Sequence, residues 1–161
     1  MKQIFKNQDG IGLIEILVVA SIISIALAAL AGLGNFALKI QHQTKQNTIA
    51  AFLATEAIEA ARAIKDGQWA NLADLNIDTP LHPIKHPSLA QWAMESEEET
   101  INGFRRQIMI GNVYRDGSFN IVASGGTLDD NTRKITSIVA WNDNGQARQI
   151  TLIDYLTNWK P

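Results

Sequence analysis

Three groups of side chains carry enough charge or enough donor atoms to do chemistry. His82 and His86 stand four residues apart, a spacing that would turn two imidazoles toward one metal ion on a helix face, but Pro83 and Pro87 break the helix that this needs. No third ligand follows from the spacing, so a solvated loop is the simpler reading. Glu95, Glu97, Glu98 and Glu99, and later Asp129, Asp130 and Asn131, offer oxygen ligands for calcium. Neither run has the spacing of a calcium loop, and the glutamates read as an exposed acidic helix end or loop. There is no cysteine, and no hydroxyl, imidazole and carboxylate fall in a pattern that would activate a nucleophile. The composition therefore argues against an enzyme, a metal or a cofactor. What remains is Glu15, the only ionisable side chain between Ile11 and Leu38.

That acid stands near the start of a run suited to hydrocarbon. A helix from Ile11 to Leu38 would reach roughly 42 Å at 1.5 Å per residue, against a bilayer hydrocarbon thickness of about 30 Å. Two fates are open to it. Lys2 and Lys6 make a basic start, and Ala26-Leu27-Ala28 or Ala29-Leu30-Ala31 offers a small-residue cleavage site, as in a secretory signal peptide. The run is, however, longer than the roughly 7–15 apolar residues of a secretory segment, and it includes the acid, which favours retention as a membrane helix. An anion in the first turn gains about 0.3–1 kcal/mol from the helix dipole. An ionised group at the bilayer centre costs about 2.5–3.5 kcal/mol or more, and less near the interface. Glu15 thus needs a partner or a proton. Gly32 and Gly34 each cost about 1 kcal/mol relative to alanine in a helix; they mark either a weak point or a place where helices pack closely through small residues.

The 161-residue chain leaves room for one compact domain beyond this run. From Lys39 to Asp66 there is neither Pro nor Gly, and Ile49, Phe52, Leu53, Ala57, Ala60, Ala61 and Ile64 recur at helical steps, with Glu56, Glu59, Arg62 and Asp66 on the other side and Gly67 as the stop. This predicts one helix of more than fifty residues, apolar and then amphipathic. "TRKITSIVAW" and "ARQITLIDYL" flank Asn144-Gly145, a strong signal for a two-residue hairpin turn, and predict antiparallel strands over Arg133 to Trp141 and Ala147 to Leu156. "RRQIMIGNVYR" and "GSFNIVAS", separated near Asp116-Gly117, predict a second hairpin. "DTPLHPIKHP" reads as a loop or extended passage, and Trp69, Trp92, Trp141 and Trp159 as core or sheet-face packing. The expected fold is α+β: a long N-terminal helix packed on a C-terminal antiparallel sheet of about four strands. Its segments are 1–10, 11–38, 39–66, a connecting region 67–103, and the sheet 104–161. A net charge of −2 with no Lys/Arg cluster gives no footprint for nucleic acid.

The leader "MKQIFKNQDG", the glycine that ends it, and "IGLIE" opening the apolar run together resemble the type IV prepilin signature. The resemblance is strong over about the first forty residues and loose beyond them. It implies that a prepilin peptidase cuts between Gly10 and Ile11, that Ile11 is N-methylated, and that Glu15 is the family's assembly acid. The new α-amino group of Ile11, cationic at neutral pH with a reference pKa of about 7.7–8.0, would pair with Glu15 within one chain or with that of a neighbouring subunit. In the same family the stretch carrying Gly32 and Gly34 supplies helix flexibility during assembly. Ile11 stands where an aromatic is usual and Gly12 where a hydroxyl residue is often found. The implied function is a structural subunit, a minor pilin of a type IV pilus or related filament. It would be held in the inner membrane with its N-terminus inside and its head outside, and would work with other pilin subunits and indirectly with an assembly platform and ATPase. Two alternatives stay open: a pseudopilin of a type II secretion or competence system, and a secreted or membrane-anchored binding domain such as an adhesin.

Overall fold

The computed structural model describes residues 12–86 and 91–159. The chain divides into two compact units, Met1–Thr44 and Lys45–Pro161. The elements run, in chain order, α1 (Leu13–Gly67), α2 (Trp69–Ala73), β1 (Leu81–Lys85), β2 (Trp92–Ser96), β3 (Glu99–Ile101), β4 (Phe104–Arg115), β5 (Ile121–Val122), β6 (Thr127–Asp143) and β7 (Gln146–Thr157). The long helix expected from the sequence is one element of 55 residues ending at Gly67.

In the second unit, α1 buries a stripe of small residues. Ala50, Ala54, Ala57, Ala61 and Ile64 follow one another at alternating steps of four and three and are all buried. Methyl side chains let the helix backbone lie close to the sheet. The lower stretch, Ala50 and Ala54, meets Phe104, Val139 and Trp141; the upper stretch, Ala57 to Ile64, meets Ile108, Ile110, Ile135 and Leu156. Phe52 does not join them. It is 72% exposed, because it shares the i, i+4, i+7 line with Glu56 and Glu59 rather than with the alanines.

The sheet has seven strands, not four, in the order β2-β1-β4-β6-β7, with β3 and β5 added to β4. The β6–β7 hairpin is as the sequence predicts: Asn144 and Gly145 take φ of 52° and 83°, and Asp143 opposite Gln146 closes a two-residue turn. Alternation places Ile135, Ser137, Val139 and Trp141 of β6 and Phe104, Arg106, Ile108 and Ile110 of β4 inside. A register shift between Asn112 and Tyr114 then turns Val113 inward.

Three expectations need correction. The predicted second hairpin is only a two-residue add-on, since β4 has β6 as its long partner and meets β5 at Tyr114↔Val122 and Arg115↔Ile121. The tight return is possible because residue 126 is glycine: a Cβ there would lie 2.7 Å from both the Arg115 carbonyl oxygen and Val122 Cγ2. The additional strands β1, β2 and β3 come from the stretch between helix and expected sheet, where short segments with a proline hide the period-two pattern. β1 touches β4 only at Leu81↔Ile108; past that point it is open on that side, where Pro83 is tolerated. The glutamate run, expected as a helix end or loop, puts Glu97 and Glu98 in the loop, with Glu97 at φ 82°, and Glu95 and Glu99 in the flanking strands β2 and β3.

Candidate assembly site

Glu15 lies in the first turn of α1, where its amide donates to the Gly12 carbonyl at 2.9 Å. No hydrogen bond or ion pair joins its carboxylate to another described residue. The expected cleavage and methylation residues, Gly10 and Ile11, lie outside the described residues. From Gly12 to Gln41 every side chain is exposed. The two hydroxyls in this stretch do not make it polar: Ser21 Oγ donates to the Leu17 carbonyl and Ser24 Oγ to the Ala20 carbonyl, both at 2.7 Å, so each is satisfied within its own helix. α1 is, among the described residues, the one helix long and apolar enough to cross a membrane by length and composition, and its most apolar window buries none of its residues. Each Leu, Ile or Val here would gain about 1.5–3 kcal/mol on leaving water. The stretch therefore demands lipid or other apolar helices, and from Gly12 to Leu38 Glu15 is the single ionisable side chain presented to either. Gly32 and Gly34 sit inside α1 without interrupting it, and a Cβ at either position would meet nothing.

The second unit holds its charges differently. Arg106 is only 3% exposed. Its Nη1 donates to Glu56 Oε2 on α1 at 2.6 Å and to the Leu53 carbonyl at 3.3 Å; its Nε donates to Glu99 Oε1 on β3 at 2.7 Å. One guanidinium thus ties helix, central strand and β3 together. The sequence carries a sign of this, because strand alternation puts Arg106 on the same inward row as Phe104 and Ile108, and a buried arginine requires acids. A more exposed link joins Arg62 to Asp154 at 2.9 Å and to Glu59 at 2.7 Å; the hydrogen bond that Arg62 donates to Asp154 raises the Arg62 pKa above its ordinary value.

Asp129 and His82, among the cation-site candidates, have partners within the chain. Asp129 accepts from Arg115 Nε at 2.6 Å, from Thr132 Oγ1 at 2.7 Å and from the Asn131 amide at 3.0 Å. The Arg115 bond, first, and the Thr132 bond hold its carboxyl below the usual carboxylate range. His82 Nδ1 lies 3.2 Å from the Glu97 carbonyl and Nε2 lies 3.8 Å from Glu95 Oε2. No three metal-ligating side chains cluster among the described residues. Of the tryptophans, Trp141 is buried and Trp69 and Trp92 pack against the upper core, whereas Trp159 is exposed.

Residues 5–31 match the model of the prokaryotic N-terminal methylation motif, which is the type IV pilin signature. The match overlaps the apolar stretch and includes Gly10, Ile11 and Glu15. It points to a structural subunit rather than an enzyme, and to a protein anchored in the inner membrane and assembled with others of its kind. No curated protein and no solved structure matches the chain.

Proposed function

We propose that this pilin-like chain is a minor pilin, a low-copy structural subunit of a type IV pilus or related filament. One observation carries the reading: the methylation motif coincides with a helix whose apolar surface is uncovered and bears a single carboxylate. In this reading a prepilin peptidase cuts after Gly10 and methylates Ile11. Before the cut, no ammonium exists beside Glu15. After it, the Ile11 ammonium can meet the Glu15 carboxylate of a neighbouring subunit in a medium of packed apolar side chains, where such a pair is strongest and where stranding either charge is costly. The pair then sets the axial register while apolar packing supplies most of the association free energy. Gly32 and Gly34 let the helix loosen as it leaves the bilayer, since an uncrowded glycine gives up helical geometry at low cost. The absence of cysteine favours the minor role, because the C-terminal loop of major pilins is often closed by a cysteine pair.

N-terminal sequencing and intact mass of the protein recovered from cells test this directly. The expected product starts at methylated Ile11 and is present at low copy number in sheared filaments. A product starting near Ala29 or Gly32, or one retaining Met1, would refute the reading.

A further inference from the structure

β7 lies at an edge of the sheet. Its inner side pairs residue for residue with β6, from Asp143↔Gln146 to Thr132↔Thr157, and its outer side pairs with no described strand. Edges of this length are usually blunted by proline, a bulge or inward-pointing charges. β7 has no proline and no bulge; it has Arg148 and Asp154, which share the helix-facing row of Ile150 and Leu152. The turn fixes which backbone groups are free. Asp143 and Gln146 close a two-residue hairpin and so exchange backbone hydrogen bonds, after which bonded and non-bonded pairs alternate along the ladder. The even residues from Gln146 to Leu156 therefore turn their amides and carbonyls to β6, and the odd residues Ala147, Gln149, Thr151, Ile153 and Tyr155 turn theirs to the open edge. The Tyr155 amide agrees with this, since it donates to the neighbouring Asp154 Oδ1 at 2.8 Å.

We infer that β7 is a pairing edge for a second copy of this chain, joined antiparallel to the same strand of that copy across a two-fold axis at Thr151. Charge selects both the occupant and the register. With Thr151 opposite Thr151, Arg148 of each copy stands opposite Asp154 of the other, Ile150 opposite Leu152, Gln149 opposite Ile153 and Ala147 opposite Tyr155. Residues with free backbone groups then face one another, as an antiparallel ladder requires, and Arg148 and Asp154 fall in a non-hydrogen-bonded pair, where side chains come closest. The overlap runs from Gln146 to Leu156, nearly the whole strand. Moving the axis to Ile150 or Leu152 sets both charges against uncharged residues, and moving it to Arg148 or Asp154 sets like against like. Asp154 already accepts from Arg62 on α1, and its side chain remains 33% exposed, which leaves room for a second guanidinium. A strand without the matching charges would leave Arg148 uncompensated, so the same pair that blunts the edge toward other strands admits a copy of itself. The axis stands perpendicular to the sheet and reverses every direction lying in it, including that of the helix stretch Ala50 to Ile64 packed upon it. Neighbours in one filament share a direction; under the filament reading, on which this placement alone rests, the pair joins subunits of two oppositely directed filaments.

The chain has no cysteine, so a single introduced thiol reports on the pairing. Thr151→Cys in the full chain, purified in detergent and mildly oxidised, puts the two Cα atoms about 5.5 Å apart, within disulfide range. Gln149→Cys, on the same face of the same strand, puts them roughly 14 Å apart. The expected result is a disulfide dimer from Thr151→Cys in about tenfold greater yield than from Gln149→Cys, with cross-linking restored when Gln149→Cys and Ile153→Cys chains are mixed. Adding Arg148→Glu to Thr151→Cys turns both attractive pairs repulsive and should lower the dimer yield about tenfold; Arg148 is exposed, so far-UV circular dichroism should be unchanged. Equal yields from 149 and 151, a mixture of 149 and 153 no better than either alone, or insensitivity to Arg148→Glu would each overturn the inference. The trapping uses chains free in detergent, so its failure leaves the filament reading standing, and N-terminal sequencing decides that reading separately.

Discussion

The guanidinium of Arg106 gives the sharpest energetic test of how helix and sheet are joined in the unit Lys45–Pro161. Its side chain is almost fully covered, Glu99 is mostly covered, and Glu56 is about half exposed. Glu56→Gln removes a screened charge and should cost about 1 kcal/mol. Glu99 meets both Nε and Nη2 of Arg106, and Glu99→Gln weakens that contact to a charged donor in a drier place, which should cost about 1.5–2 kcal/mol. With both changed, the cation stays buried with only neutral acceptors, and the loss should reach about 3–5 kcal/mol, more than the singles together. At roughly 4 °C per kcal/mol for a unit of this size, the double variant should melt about 12–20 °C lower. Adding Arg106→Met removes the stranded charge and should restore at least half of the loss. Thermal unfolding of the full chain in detergent, followed by near-UV circular dichroism from buried Trp141, reads these values. A double variant within about 1 kcal/mol of the parent, or a triple variant less stable than the double, would refute the view that neutralising a buried cation holds these elements together.

Gly126→Ala should destabilise by about 1–3 kcal/mol, because the new methyl meets the Arg115 carbonyl and Val122 Cγ2 at 2.7 Å and the backbone must move; equilibrium denaturation measures it. Asp129 has a folded pKa below its unfolded value of about 3.9, so its contribution is present above that value and is lost as pH falls through the lower folded pKa. Asp129→Asn should therefore lower stability at pH 7 and flatten the acid limb below about pH 4, as pH-dependent melting would show; an unchanged limb would contradict the pairing with Arg115. Phe52→Ser should change stability by less than about 0.5 kcal/mol, since the ring is exposed and touches no core cluster. Glu15→Gln should leave the membrane-held amount unchanged and strongly reduce incorporation into filaments carrying wild-type neighbours; quantitative immunoblotting of sheared filaments decides, and normal incorporation would remove Glu15 from the assembly role.

Much of this molecule can be read along a single dimension. The apolar stretch, its lone acid and the long helix follow from composition and local order. So does the Asn144-Gly145 turn, because two residues in left-handed geometry need little beyond their own chemistry. Each of these is a property of residues close together in the chain. Phe52 marks the limit: its apolar character suggested the packed face, and only the rotation of α1 against the sheet, set by the alanine stripe, puts it in solvent. The β1–β2 hairpin and β3 were equally hidden, since their strands are only three to five residues long and one includes Pro83, too short for a period-two pattern to stand out.

From sequence alone came an apolar, acid-bearing helix followed by a helix-on-sheet head, because hydrophobic periodicity and turn chemistry act over a few residues. Tertiary structure alone determined that Glu56 and Glu99 converge on Arg106, that Asp129 is occupied by Arg115, and that β7 lies at an edge of the sheet. Those arrangements depend on which strands become neighbours and in what register, and that choice is made by burial of the whole core rather than by any local segment.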